Sequence, residues 1–272
     1  MSSILNNVAA LGATRQLAIT GQGLQQTIQR LTTGRRINRA SDDAAGLGIS
    51  NKLGADIRIS AQGQRNANDA VSYLQVADGV MDEVTNLLQR ASELAEQAKT
   101  GTISDSNRTN IDAEFQNIIK TIGDIGQNTD FNGAAVFTSG SINVSVGGFS
   151  AISVMVGTIS NSGEDGLGLK AGETRMNTAA NASAAASLIG TAIASVSSVR
   201  ATLGANMQQL NAVSNSLGIQ VENFTAASSQ ILDANIADEV VNLTKFQILN
   251  QSGTSALQKA NQSSQQILAL LQ

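Results

Sequence analysis

Two acidic pairs, Asp42-Asp43 and Glu164-Asp165, are the residues of this chain best placed by type and spacing to do chemistry. Paired carboxylates serve as general acid and base, or as ligands to a hard cation. Both pairs stand beside Gly or Ala, where a turn or a helix start is expected, and no further ligands follow at the spacing of a calcium loop. The chain has no His and no Cys. It therefore lacks imidazole and thiolate metal ligands, a Cys or His nucleophile pair, and a Ser-His-Asp triad. These absences argue against an enzyme, and no catalytic, cofactor-binding or metal-ligating residue is assigned.

A second charged group, Arg35, Arg36 and Arg39 beside Asp42 and Asp43, offers electrostatics in place of catalysis. It reads either as an ion-pair cluster locking one subunit to another or as a charged helix junction. Exposed pairs contribute roughly 0–1 kcal/mol each, so only a network at an interface would matter. The net charge is -4 and no block of like charges tracks a phosphate backbone, which leaves nucleic acid out as a partner. The first residues lack a basic start and an apolar run of roughly 7–15 residues, and no apolar stretch of about 18 is evident. Neither a cleaved signal peptide nor membrane insertion is expected.

The elements that position these groups are helices. The chain has no Pro, the strongest helix breaker, and only 3% aromatic residues, so its core must be built from Ala, Val, Ile and Leu in narrow seams. One seam with alternating spacings of three and four runs through Ala70, Leu74, Ala77, Met81, Val84, Leu88, Ala91, Ala95 and Ala98, with Val80, Leu87 and Leu94 widening it. After a loop over residues 101–110, Ile111, Phe115, Ile118, Ile122 and Ile125 mark a shorter helix that completes a hairpin. A longer seam runs from Ile189 to Ile231, interrupted by Asn206 and Gln220, which read as buried amides that fix register. Residues 131–175 read as a small β element, with Ile142, Val144 and Val146 alternating against Ile152, Val154 and Val156 across Gly147-Gly148.

The two ends are weaker helices. Ile4, Val8 and Leu11 begin a stripe that resumes at Leu17, Leu24, Ile28 and Leu31, while Gly12, Gly21, Gly23 and Gly34 interrupt it. Each such Gly costs about 1 kcal/mol relative to Ala inside a helix. Ile236, Val240 and Leu243, then Leu257, Ala260, Ile267 and Leu271, form a similar stripe at the other end. Neither end is stable alone, so the two are expected to pair and to become fully ordered on assembly. The fold class is therefore mostly α: a long antiparallel coiled-coil-like bundle with a small β-hairpin and paired terminal helices.

Several motifs together resemble bacterial flagellins. Arg35-Arg-Ile-Asn-Arg-Ala-Ser-Asp-Asp-Ala-Ala-Gly46 is similar to the turn after the first flagellin helix, and Asn86-Leu-Leu-Gln-Arg-Ala-Ser-Glu-Leu-Ala95 and Thr129-Asp-Phe-Asn-Gly133 to an inner helix and the turn beyond it. The end, from Glu239-Val-Val-Asn-Leu-Thr244 through Gly253-Thr-Ser-Ala-Leu-Gln258, resembles the flagellin C-terminus. The resemblance implies a core domain of residues 1–42 and 233–272 and a surrounding helical domain of residues 43–232. It also implies a homopolymeric filament for swimming, in an extracellular flagellum reached through type III export. An export chaperone, a filament cap and hook-filament junction proteins are the implied partners.

The residues expected to carry inter-subunit assembly are Leu5, Val8, Leu11, Leu24, Ile28, Leu31, Arg35, Arg36, Asp42, Asp43, Ile236, Val240, Leu243, Leu257, Ile267 and Leu271. By the same resemblance, Arg90, Leu94 and Glu114 occupy positions where some flagellins contact a host innate immune receptor. A hook-filament junction protein with similar termini and a soluble coiled-coil binding module are the alternative readings.

Overall fold

The computed structural model describes residues 7–159 and 167–269. Leu5, Leu271 and the Glu164-Asp165 pair lie outside them, as does the side chain of Ile267. Among the described residues the helices are α1 (Val8–Thr33), α2 (Ala44–Lys99), α3 (Asp105–Asn128), α4 (Ala179–Leu232) and α5 (Ile236–Ala269). The strands are β1 (Asp130–Phe131), β2 (Ala134–Ala135), β3 (Ser141–Val144) and β4 (Ile152–Met155). The chain forms two compact units, residues 1–56 with 222–272, and residues 57–221.

In the first unit α1 and α5 pair antiparallel. Asn7 starts α1 by accepting from the Ala10 amide at 2.9 Å, and its own amide donates to the Ala260 carbonyl and to Ser264 Oγ. The helix stops at Gly34, whose φ of 70° is the left-handed cap that a side chain would resist. Directly beyond it, the Gly34 carbonyl accepts from the Ala234 amide and the Arg36 amide donates to the Leu232 carbonyl. This bridge between Arg35 and Asp233 ties the α1–α2 turn to the α4–α5 turn. The interior of the pair is a regular alternation of three and four: Ala10, Ala13, Leu17, Thr20, Leu24, Thr27 and Leu31 on α1 against Glu239, Leu243, Phe246, Asn250, Gly253, Leu257, Ala260 and Ser264 on α5, all buried or half-buried.

The second unit has a drier core. Ala67, Leu74, Ala77, Met81, Val84, Leu88, Ala91, Ala95 and Ala98 of α2 are buried in one cluster with Phe115, Ile119 and Ile122 of α3 and Ala182, Ala185, Ile189, Ala192, Val196, Leu203, Leu210 and Leu217 of α4. The expected seams are therefore present, and each starts earlier than apolar counting gives. On α2 the buried row reaches back to Ser60 and Gly63, and α4 begins ten residues before Ile189. Small and polar residues occupy seam positions there, so apolar counting skips them. Asn206 and Gln220 are half-buried rather than enclosed.

Helix α4 contains a stretch long and apolar enough to meet the length and composition of a membrane span. This departs from the expectation that no such stretch exists. Its inward face nevertheless belongs to the packed core just described.

The loop between α2 and α3 is shorter than expected. Helix α3 begins at Asp105, because Ser104 accepts from the Asn107 amide and caps it. The Arg108 guanidinium then donates to the Ala98 and Thr100 carbonyls at the end of α2, where exposed helix carbonyls attract a cation. Further along α3, Asp112 accepts from the Met176 amide at 2.6 Å and from Arg175, while Gln116 accepts from the Gly172 amide and donates to the Thr174 carbonyl. One polar face of α3 thus anchors both the preceding turn and the irregular segment that leads into α4.

Among the described residues of 131–175 the β element has two hairpins. The pair β3–β4 is antiparallel, with Val144 opposite Ile152 and Ile142 opposite Val154, which agrees with the alternation in sequence. The pair β1–β2 closes through Asn132 and Gly133 at φ 53° and 78°, the two positive values a tight twisted hairpin requires. Tyr73 donates to the Val136 carbonyl at 2.8 Å and meets Phe131 edge to face at 5.6 Å, fixing this hairpin to α2.

Candidate assembly surface

The unusual surface of this chain is the outside of the α1–α5 pair. The seam between the two helices is too narrow, and too rich in Ala, Thr, Gly and Ser, to use all the large apolar side chains the helices carry. Val8 and Leu11 of α1 are 73% and 65% exposed, and Val241 and Ile248 of α5 are 65% and 66% exposed. Ile19, Ile28, Ile236, Val240 and Leu249 are exposed as well. Nine large apolar side chains on two helices are more than scattered surface residues.

The predicted assembly residues divide accordingly. Val8, Leu11, Ile28, Ile236 and Val240 point outward, whereas Leu24, Leu31, Leu243 and Leu257 are half-buried in the seam. The single stripe expected on each end is thus two faces, one facing the partner helix and one left open. Sequence counting missed Ile19, Val241, Ile248 and Leu249, because they fall between the positions of the first stripe. A count at heptad spacing that admits Thr, Gly and Asn to the seam would have separated the faces.

At the α1–α2 turn, Asp42 accepts from the Asn38 and Arg39 amides at 3.0 Å, and Asp43 caps α2 by accepting from the Gly46 amide at 2.8 Å. The Asn38 and Arg39 amides hold the Asp42 carboxyl below its ordinary range. Arg36 donates to the Ile231 carbonyl. Within the subunit both acids thus accept from backbone N–H groups that would otherwise lack partners. The tight pair nearby is Arg30 with Glu239, at 3.1 Å across the α1–α5 seam. Around it, Arg30 Nε and Glu239 Oε2 are buried without a partner.

On the second unit Arg90 bonds Glu114 on α3 and Glu93 on its own helix, at the surface. Leu94 is 2% exposed and belongs to the core. Its side chain is enclosed in the subunit, while those of Arg90 and Glu114 are at the surface. Among the described residues no group of acidic side chains is arranged to hold a metal.

Residues 4–141 match the model of the bacterial flagellin N-terminal helical region, and residues 186–271 that of the bacterial flagellin C-terminal helical region. The chain is 34% identical over 286 residues to flagellin FlaB1 of Treponema pallidum, covering 98% of this chain and 99% of that one. It is 34% identical over 271 residues to a flagellin of Halalkalibacterium halodurans, again covering 98% and 99%. Among solved structures it is similar to one described as a flagellar hook-associated protein from Vibrio parahaemolyticus. The TM-score there is 0.58 at 15% identity, over 71% of this chain and 100% of that one, a likeness of fold alone.

Proposed function

This chain belongs to the bacterial flagellin family, and we propose that it builds the flagellar filament through the outward apolar faces of its paired terminal helices. Its function is that of a structural subunit, and the place of that function is the extracellular flagellum. The finer reading assigns inter-subunit contact to Val8, Leu11, Ile28, Ile236 and Val240, joined by Ile19, Val241, Ile248 and Leu249. Leu24, Leu31, Leu243 and Leu257 hold the pair together so that those faces exist.

The observation that carries this reading is exposed apolar area on helices whose mutual seam is thin. Apolar surface contributes about 25 cal/mol for each Å² removed from water. Covering these faces with further copies of the same chain stabilises the pair and the polymer together. The residue-type balance supports the same division: residues 57–221 hold most of the large buried apolar side chains, and the terminal helices most of the large exposed ones. Residues 1–42 and 233–272 are accordingly the filament core in this reading, with residues 43–232 around them. Type III export, an export chaperone, a filament cap and hook-filament junction proteins complete it as partners, and Arg90 with Glu114 is the surface offered to a host innate immune receptor.

The test is seeded polymerisation of purified full-length protein carrying Leu11→Ser and Val241→Ser. Both side chains lie outside the helical seam, so helicity by circular dichroism is expected to match the parent while sedimentable filaments are lost. Filaments of normal yield and length from this variant would overturn the reading.

A further inference from the structure

We infer that three complementary pairs, Gly23 with Phe246, Leu17 with Gly253 and Arg30 with Glu239, set the register in which α1 and α5 pair. The heptad seam by itself specifies register poorly. Ala10, Ala13, Thr20, Thr27, Asn250, Gly253, Ala260 and Ser264 recur at its positions. Sliding one helix by a heptad keeps every seam position opposite another seam position. Something must make the slipped alignments worse.

The two glycines do so by size. A Cβ on Gly23 would lie 2.7 Å from Phe246 Cζ, and one on Gly253 would lie 2.7 Å from Leu17 Cδ1. Each glycine is thus the socket for one large side chain of the opposite helix, with the large residue on α5 in one pair and on α1 in the other. Sliding α5 one heptad in one direction carries Phe246 off Gly23 and onto Gln16, where no socket receives the ring, and sets Gly253 against Ala10, which leaves a void. Sliding it the other way carries Phe246 off Gly23 and onto Arg30, while Gly253 meets Leu24. Both overpacking and voids disfavour a packed interface.

The charged pair acts in the same sense. Glu239 is 7% exposed and bonds Arg30 at 3.1 Å. In the first slipped alignment Glu239 would face Gly23, with no cation opposite it. A largely enclosed pair missing some of its hydrogen bonds is a weak source of stability, but separating its members strands the buried Glu239 carboxylate. Arg30 Nε and Glu239 Oε2, buried without partners, mark it as that kind of pair. These residues therefore supply a defined offset between the chain ends more than they supply strength. Only the consequence, that subunits present their outward faces at one fixed stagger, rests on the assembly reading above.

The chain has no native Cys, so engineered pairs report register directly. Ala13→Cys with Leu257→Cys reads the observed register, lying between the Leu17–Gly253 and Asn7–Ser264 contacts. Ala13→Cys with Asn250→Cys, and Ala13→Cys with Ser264→Cys, read the two one-heptad slips. In otherwise unchanged full-length protein under polymerising conditions, oxidation is expected to join the first pair at least roughly tenfold more efficiently than either slipped pair. Adding Gly23→Phe is expected to lower the first cross-link by about tenfold, and adding Phe246→Gly as well to restore it, since the pair is then complementary again with the sizes exchanged. Equal cross-linking of a slipped pair in the unchanged seam would overturn the inference. So would a doubly substituted seam that stays as poor as Gly23→Phe alone. Electron microscopy of the same samples separates the two readings: a register-true cross-link in protein that forms no filaments would sink the assembly reading and leave the register standing.

Discussion

Asp42 shows how a charged side chain in this protein works through the backbone. Its carboxylate holds the Asn38 and Arg39 amides in the turn between α1 and α2 and is kept below its ordinary pKa range by those two bonds. A group whose pKa is lowered on folding stabilises the fold above its unfolded pKa, and this contribution is lost as pH falls through the folded value. The α1–α2 turn is therefore predicted to be unaffected at neutral pH and to loosen in acid, below the ordinary carboxylate range. Hydrogen-exchange protection at the Asn38 and Arg39 amides, taken relative to the intrinsic rate at each pH, measures it: Asp42→Asn should show at neutral pH the reduced protection that the parent shows only in acid. The residue types at this turn were legible in the sequence, but their partners were not. Five charges within nine positions suggest ion pairs, whereas the amides at a turn and a helix start have a stronger claim on the nearest carboxylates.

At the scale of the element, buried polar groups and buried apolar groups do different things. Asp112 on α3 is 4% exposed and accepts from the buried Met176 amide and from Arg175. Removing it leaves that amide without a partner, and Asp112→Ala is predicted to cost about 1–3 kcal/mol. Leu203 on α4 is fully enclosed, and Leu203→Ala is predicted to cost about 2–5 kcal/mol. Leu249 on α5 is exposed in the subunit, and Leu249→Ala should change monomer stability by no more than about 0.5 kcal/mol. Urea denaturation of the three variants as monomers measures all of this, and a Leu249 variant as unstable as the Leu203 one would refute the division between core and open face.

The long helices were legible because their seams alternate between three and four over many turns, and the β3–β4 hairpin because Ile142 and Val144 alternate with polar residues. Helix starts were not, since Ser60, Gly63, Ala182 and Ala185 are seam residues without being strongly apolar. The two faces of α1 merged for the same reason: Thr20 and Thr27 are buried while Val8 and Leu11 are not. Burial of a Thr in a helix seam is a matter of what lies across from it, which a single helix does not state.

Across the whole molecule, stability and association are assigned to different parts. The 57–221 unit has a continuous core of Leu, Ile, Val, Met and Phe drawn from α2, α3, α4 and the hairpins. The terminal pair has a seam in which Ala, Thr, Gly, Asn and Ser alternate with Leu and Phe246, and nine further large apolar side chains lie on its outside. Helices of this kind are marginal without tertiary packing, so the pair should open readily in a free subunit and close when neighbouring copies cover it.

Amide hydrogen exchange compared between dilute monomer and assembled filament tests this most directly. Residues 8–33 and 236–269 are predicted to exchange rapidly in the monomer and to gain strong protection in the filament, while the buried stretches of α2, α3 and α4 within residues 57–221 stay protected in both. Full protection of the two terminal helices in the dilute monomer, or no gain on assembly, would contradict the account.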